Sequence, residues 1–277
     1  MKKTILITGA SSGFGKTAAT FFADKGWNVV ATMRSPEKEK DLVGLNDVLV
    51  TRLDVQDRDS IHAAITAGIA RFRKIDALIN NAGFGLFGVF ETISREKIQK
   101  QFEVNVFGVM EVTRAILPHF RKNKNGLILN ISSGAGVYGL PMISLYCATK
   151  FALEGFTESL AYELASQNIV VKIIELGGVV STNFGKRSGA EAAQNAPLAD
   201  YDAFIAGANA IFDGLRAQRR ATEEDVAQVI FAAATDGTNQ LRYVATNDIL
   251  PLVKARRETS EQEYMALMRS RFMPSTP

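Results

Sequence analysis

The stretch Thr4-Ile-Leu-Ile-Thr-Gly-Ala-Ser-Ser-Gly-Phe-Gly15 decides the architecture. Residues 5–8 form a short, almost continuously apolar run, the pattern of a strand buried on both faces. The glycines that follow are spaced Gly-x-x-x-Gly-x-Gly and open a helical pattern at residues 14–25. Glycine there permits a tight turn and lets the backbone approach an anion at the positive helix N-terminus. Gly9, Ser11, Ser12, Gly13, Phe14 and Gly15 are therefore read as a pyrophosphate-binding turn. Any tight strand–helix turn can use glycine; the place in the first βα unit is what favours a nucleotide. Met1-Lys2-Lys3 imitates the front of a secretion signal, but the apolar run behind it is too short.

Outward from this turn, short apolar runs at 28–32, 48–53, 76–80, 127–132 and 170–176 read as strands. Helical patterns lie between them at 58–72, 95–122 and 145–166, and residues 35–44 allow a short, highly charged helix. Such alternation predicts right-handed βαβ units, hence an α/β protein with a doubly wound parallel sheet covered by helices on both faces. No linker or repeat divides the 277 residues, so residues 1–277 are read as one domain. Composition shifts after Thr182. Residues 183–199 are rich in Gly, Ala, Asn and Ser and suggest a mobile surface segment; 183–214 is expected to be a substrate lid carrying Tyr201, Phe204 and Phe212. A tail helix is expected within 258–277, opened by the capping-box spacing Ser260-Glu-Gln-Glu263. Its stripe of Tyr264, Met268 and Phe272 should pack on the body or on a partner subunit.

With 47% apolar and 22% charged residues, the composition is that of an ordinary globular protein. The formal charge of +3 is small, and the basic clusters at 216–220 and 254–257 read as solvated helix faces, so no nucleic-acid partner is expected. A single cysteine, Cys147, excludes an internal disulfide and points to a reduced compartment, the cytoplasm. His62 and His119 lack metal-ligand spacing, and no metal centre is expected. No run of about 18 apolar residues suggests a membrane span.

The second strand should end near Met33, where folds that bind NAD carry an acid for the ribose 2′-hydroxyl. Here no Asp or Glu occurs from Val29 to Pro36; Arg34 stands there, with Lys38 nearby. A guanidinium clamps a 2′-phosphate that an acid would repel. NADP(H) is thus favoured over NAD(H), the plain alternative being a loose surface arginine.

Leu145-Tyr-Cys-Ala-Thr-Lys150 places Tyr146 and Lys150 four apart, on one face of a helix. Taken alone the pair reads as well as an ordinary exposed helix. An ammonium ~4 Å from the phenolate would attract it by about 4 kcal/mol at an effective dielectric near 20, lowering the phenol pKa of about 10 by roughly three units.

With these pieces placed, the chain resembles the short-chain dehydrogenase/reductase family in its compact single-domain branch, closely over about residues 2–184. Residues 8–15 match the family's cofactor motif, Asp54 in Leu53-Asp-Val55 its adenine-holding acid, and Asn80-Asn-Ala-Gly83 its motif beside the cofactor. Asn105, Ser133, Tyr146 and Lys150 match the catalytic four, Ser133 lying thirteen positions before Tyr146.

The resemblance implies a Rossmann-type fold. It also implies hydride transfer between nicotinamide and the carbonyl or secondary alcohol of a ketone, aldehyde or alcohol substrate. Tyr146 would be the general acid/base, Ser133 would orient the substrate oxygen, and Lys150 would lower the Tyr146 pKa and bind the ribose. Asn105 would hold a water that relays protons from Lys150. Cofactor contacts are implied for Asp54, Val55, Asn81, Ala82, Gly83, Tyr146, Lys150, Gly177 and Thr182. Residues 31–36 look like the branch with steroid and retinol dehydrogenases, which points to a lipophilic substrate. A homodimer or homotetramer is implied through the helices near 103–122 and 145–166. A departure stands at Glu175-Leu-Gly-Gly178, where the family has Pro-Gly. The rival reading is a regulatory protein that senses NADP(H) without turnover; it would need the glycine turn but not the catalytic four.

Overall fold

Strand β1 (Thr4–Ile7) is buried along its whole length, as its unbroken apolar run requires. In the computed structural model, which describes residues 2–179, 188 and 198–273, it is an interior strand, third from one edge of a seven-stranded sheet. Around it are β2 (Asn28–Met33), β3 (Val48–Arg52), β4 (Ala77–Asn80), β5 (Gly126–Ile131), β6 (Ile169–Glu175) and β7 (Arg242–Val244). The order is β3-β2-β1-β4-β5-β6-β7 and every pairing is parallel. Alternate side chains of β1 enter opposite cores, Ile5 and Ile7 one and Leu6 the other. Helices α1 (Gly13–Asp24) and α2 (Arg58–Phe72) follow β1 and β3. The chain crosses from β3 to β4 over β1, so β1 and β4 become neighbours and a crevice opens beyond their C-terminal ends.

The helix expected at 95–122 is interrupted. It comprises α3 (Arg95–Phe102), a π-helical turn (Glu103–Phe107) and α4 (Gly108–Asn123). Single π turns inside helices recur at functional sites, and this one carries Asn105. Helix α5 (Ser144–Ala165) agrees with the expected span to within a residue at each end. Of residues 35–44 only Pro36–Lys38 turn helically. The Glu39 carboxylate accepts the Asp41 and Leu42 N–H groups at 2.8 and 3.1 Å and the Lys16 ammonium at 3.0 Å, which diverts those donors from a helical ladder. Strand β7 was not foreseen, because three residues are too few to show a period.

Helices α6 (Asp202–Gln218), α7 (Glu223–Thr235), α8 (Leu250–Glu258) and α9 (Glu261–Phe272) complete the described chain. Tyr264, Met268 and Phe272 of α9 pack on Val137, Tyr138, Ile249, Leu252 and Val253, so the stripe covers the body. Thr182 and residues 183–187 and 189–197 of the expected lid lie outside the described residues, as do 274–277 of the tail. Among the described residues no helix is long and apolar enough to cross a membrane.

Candidate active site

The glycine turn joins β1 to α1 at the sheet's C-terminal edge. Gly9 has φ +70, the left-handed region that favours glycine, and a Cβ on Gly15 would overlap the Gly9 carbonyl and the Asn81 amide. Asn81 fastens this turn to β4 by donating to the Thr8 and Gly9 carbonyls at 3.0 and 3.1 Å. In return the Thr8 hydroxyl accepts the Asn81 and Ala82 N–H groups at 3.0 and 3.1 Å. Ser12 precedes α1 without a side-chain capping bond, no acid lies in the first helical turn, and Ser11 and Ser12 are exposed. The first N–H groups of α1, at the positive end of its dipole, thus have neither a side-chain cap nor a repelling carboxylate; the residues present fit a pyrophosphate.

Arg34 is exposed just beyond β2, and among the described residues no carboxylate pairs with it. Asp54, half-buried beyond β3, accepts the Gln56 N–H at 3.1 Å, and Val55 packs in the core beside it. Gly83 abuts Asn105.

The four residues expected to do the chemistry come from three elements. Ser133 follows β5; its hydroxyl accepts the Ala135 N–H at 3.1 Å and lies 3.3 Å from the Leu176 carbonyl. It also hydrogen-bonds the Tyr146 phenol. Lys150 lies 5.7 Å from the centroid of the Tyr146 ring and donates to the Ile131 carbonyl at 2.7 Å. Tyr146 and Lys150 are both buried, which corrects the expected electrostatics. Burial pushes the Tyr146 phenol well above its ordinary value, and the Ser133 hydrogen bond offsets only part of this. Burial likewise pulls Lys150 down to about 8, opposed by the attraction of Glu154. The expected lowering of Tyr146 assumed a solvated pair; desolvation of both charged forms outweighs it.

Asn105 sits in the π turn, fully buried. Its amide donates to the Phe84 carbonyl at 2.8 Å and to Thr149 Oγ1 at 3.1 Å, and its oxygen accepts the Phe84 N–H at 3.0 Å. Both donors of the side chain are committed to joining the segment after β4 to α5, so the side chain braces the scaffold beside the site. Thr149 in turn donates to the Tyr146 carbonyl at 2.8 Å. Below, Asn80 donates to Asn130 at 2.8 Å and Asn130 to Thr157 at 2.8 Å, tying α5 to the sheet. Thr8 and Asn80 stand in motifs legible in the sequence, whereas Thr149, Asn130 and Thr157 do not, because isolated Thr and Asn carry no pattern.

Gly177 and Gly178 follow β6, where their N–H groups donate to Thr246 Oγ1 at 2.8 Å and Asp248 Oδ2 at 3.3 Å. The Arg219 guanidinium rests on Gly178, its Nε 3.9 Å from Asp248 Oδ2. Arg257 pairs with the fully buried Glu175. The basic clusters at 216–220 and 254–257 are therefore not merely solvated faces, since each sends one arginine inward.

A cavity of about 510 Å³ opens beside the start of α5, between Gly88, Val89, Phe90, Glu91, Met142, Ser144, Tyr201 and Phe204. Tyr201 donates to Glu91 at 3.1 Å across it, and Phe87 meets Phe212 edge to face at 5.9 Å. Of the other apolar residues near it, Phe84 and Leu86 are core, packed on Ile93 and Leu145.

Residues 3–193 match the short chain dehydrogenase family. An uncharacterized oxidoreductase of Schizosaccharomyces pombe is 36% identical over 239 residues, spanning 86% of this chain and 98% of that protein. Human retinol dehydrogenase 8 is 37% identical over 193 residues, 66% of this chain and 61% of its own. Among solved structures, ElxO with NADP bound superimposes with a TM-score of 0.73 at 28% identity, covering 88% of this chain and 98% of that one. A short chain dehydrogenase/reductase from Burkholderia phymatum in complex with NAD gives 0.80 at 25% identity, over 100% and 97%.

Proposed function

The chain belongs to the short-chain dehydrogenase family, and from that premise we propose that it is an NADP(H)-dependent oxidoreductase reducing the carbonyl of a lipophilic substrate, with Tyr146 as general acid. The observation that carries the proposal is the convergence of Ser133, Tyr146 and Lys150 beside the fastened glycine turn. A bound nicotinamide supplies the hydride. Its pyrophosphate would lie at the α1 N-terminus over Gly9, Ser11, Ser12, Gly13, Phe14 and Gly15, and Arg34 would meet a 2′-phosphate. Asp54, Val55, Asn81, Ala82, Gly83 and Gly177 would border the adenine and nicotinamide ends, and Thr182 would add a hydroxyl.

Hydride attack leaves negative charge on the substrate oxygen, so a donor must already face that atom. A phenol kept protonated by burial holds the proton to be given, and Ser133 orders that phenol and would hydrogen-bond the same oxygen. Lys150 would then stabilise the phenolate that remains and bind the ribose. The lipophilic preference is supported by Phe90, Met142 and Phe204 in the cavity wall and by the likeness to retinol dehydrogenase 8. Residues 183–214 are proposed to cover the substrate, and α4 with α5 to pair subunits. Phe107 and Phe151, exposed at the start of α4 and on α5, and Tyr162 further along α5 support that pairing.

The test is Tyr146→Phe, followed by NADPH absorbance with a panel of ketones and aldehydes. Turnover should vanish while calorimetry shows NADPH binding retained. Substantial residual turnover would remove Tyr146 from the acid role, and no turnover by the unaltered protein on any carbonyl would favour a cofactor sensor.

A further inference from the structure

One helical turn beyond Lys150 lies Glu154, 6% exposed, on the same face of α5. Glu154 Oε2 accepts from Arg242 Nε of β7 at 3.0 Å. The same Nε is 3.6 Å from Glu175 Oε1, at the end of β6 and fully buried. Arg242 also pairs with Glu158, a further turn along α5, and Arg257 of α8 pairs with Glu175. Oε1 of Glu154 and Oε2 of Glu175 have no hydrogen-bond partner, so neither carboxylate is saturated by its arginine. In this cluster three carboxylates, Glu154, Glu158 and Glu175, face two guanidiniums, Arg242 and Arg257, which leaves one negative charge. The Lys150 ammonium, one turn away and attracted by Glu154, has the sign that offsets it.

We propose that Glu154 is a positioning residue that keeps Lys150 charged, held ionised itself by Arg242 within the cluster that Glu175 and Arg257 complete. Its bearing on catalysis rests on the reading of Lys150 as the partner of the proton donor. The remaining titratable group facing Lys150 is Tyr146, kept neutral by burial. Lys150 stands at about 8 with the attraction of Glu154 already in place, so little margin separates it from discharge near neutral pH. Burial also raises the Glu154 carboxyl, the Ser132 hydroxyl lowers it, the Glu175 charge raises it, and the approach of Arg242 opposes that rise. The C-terminal segment thereby reaches the site through Arg257 without touching substrate.

The test is NMR titration of protein labelled at the lysine ε-carbon, the Lys150 resonance being assigned by its loss in Lys150→Arg. In Glu154→Gln, which keeps shape and removes charge, the Lys150 midpoint should fall by about one unit. Glu154→Asp should restore most of it, and the alkaline limb of kcat/KM for carbonyl reduction should move down with the midpoint. Glu158→Gln, changed at a half-exposed site, folds regardless and should lower the midpoint in the same direction by less. An unmoved midpoint in Glu158→Gln and in folded Glu154→Gln overturns the proposal. A moved midpoint in a protein that turns over no carbonyl upholds it and instead refutes the reductase reading.

Discussion

Replacing Asn105 by Ala tests whether this residue acts through the scaffold. The change removes three buried hydrogen bonds, to the Phe84 N–H, the Phe84 carbonyl and Thr149 Oγ1. The carbonyl keeps Gln101 Nε2 at 3.3 Å and Thr149 keeps its bond to the Tyr146 carbonyl, so the largest cost falls on the Phe84 N–H, which loses its bond to Asn105 Oδ1. Loss of that bond costs a buried donor about 2 kcal/mol, and loss of the other two about 1 kcal/mol or less each, which gives a loss of about 3 kcal/mol. For a chain of this size that is a fall in Tm of about 5 °C. Calorimetry with and without NADPH would measure it, alongside kcat and KM. The segment 81–86 loosens, so cofactor affinity should weaken together with stability. Asn105→Asp supplies an internal control. A carboxylate oxygen would then face the Phe84 carbonyl now bonded at 2.8 Å, a contact tolerable only if the new acid is protonated. Its folded pKa is therefore raised, and its stability relative to the unaltered protein is best below about pH 4 and lost as pH rises through that folded pKa. A Tm change under about 2 °C with turnover abolished would refute the scaffold role and return Asn105 to a direct part in proton transfer.

Three further outcomes follow from the geometry. Gly15→Ala drives a Cβ into the Gly9 carbonyl and the Asn81 amide, and NADPH affinity by calorimetry should fall at least about tenfold, or about 1.4 kcal/mol; unchanged affinity would show that the turn does not hold the cofactor. Arg34→Ala should cost NADPH about tenfold more affinity than NADH, the worth of one charge-assisted phosphate contact, and equal losses would end the NADP(H) preference. Asp236→Asn weakens the partner of the buried Lys172, 2.5 Å away. Although burial opposes it, the Lys172 and Tyr243 hydrogen bonds hold the Asp236 carboxyl far below its ordinary value. Its contribution is thus present above about pH 4 and lost as pH falls, so denaturant titrations should show Asp236→Asn weaker by about 2 kcal/mol at neutral pH and converging with the unaltered protein in acid. A constant difference at every pH would contradict this.

The sheet was legible because its signals are local. Residues 5–8, 28–32, 48–53, 76–80, 127–132 and 170–176 each carry a buried-strand pattern within a few positions, and all lie where β1 to β6 are found. The two misses have local causes too. The π turn at Glu103–Phe107 adds one residue to a helical repeat, which apolar periodicity does not resolve, and Arg242–Val244 is shorter than any window. Glu39 illustrates a third kind: nothing in its neighbourhood marks it as the carboxylate that takes two backbone donors and Lys16, 23 positions away.

Sequence by itself determined the α/β class, the glycine turn, the order of strands and helices, and the likeness that singles out Asn105, Ser133, Tyr146 and Lys150. It could do so because helix and strand periodicity and turn chemistry act over a few residues. Tertiary structure alone decided the protonation balance of that group. The direction of a pKa depends on how much water a side chain loses and which charges remain in reach. For Lys150 those conditions are set by burial and by Glu154 one turn away, itself met by Arg242 from 88 positions along the chain. Burial therefore reversed the expected fall in the Tyr146 pKa, and Arg257, which read as surface charge, meets the fully buried Glu175.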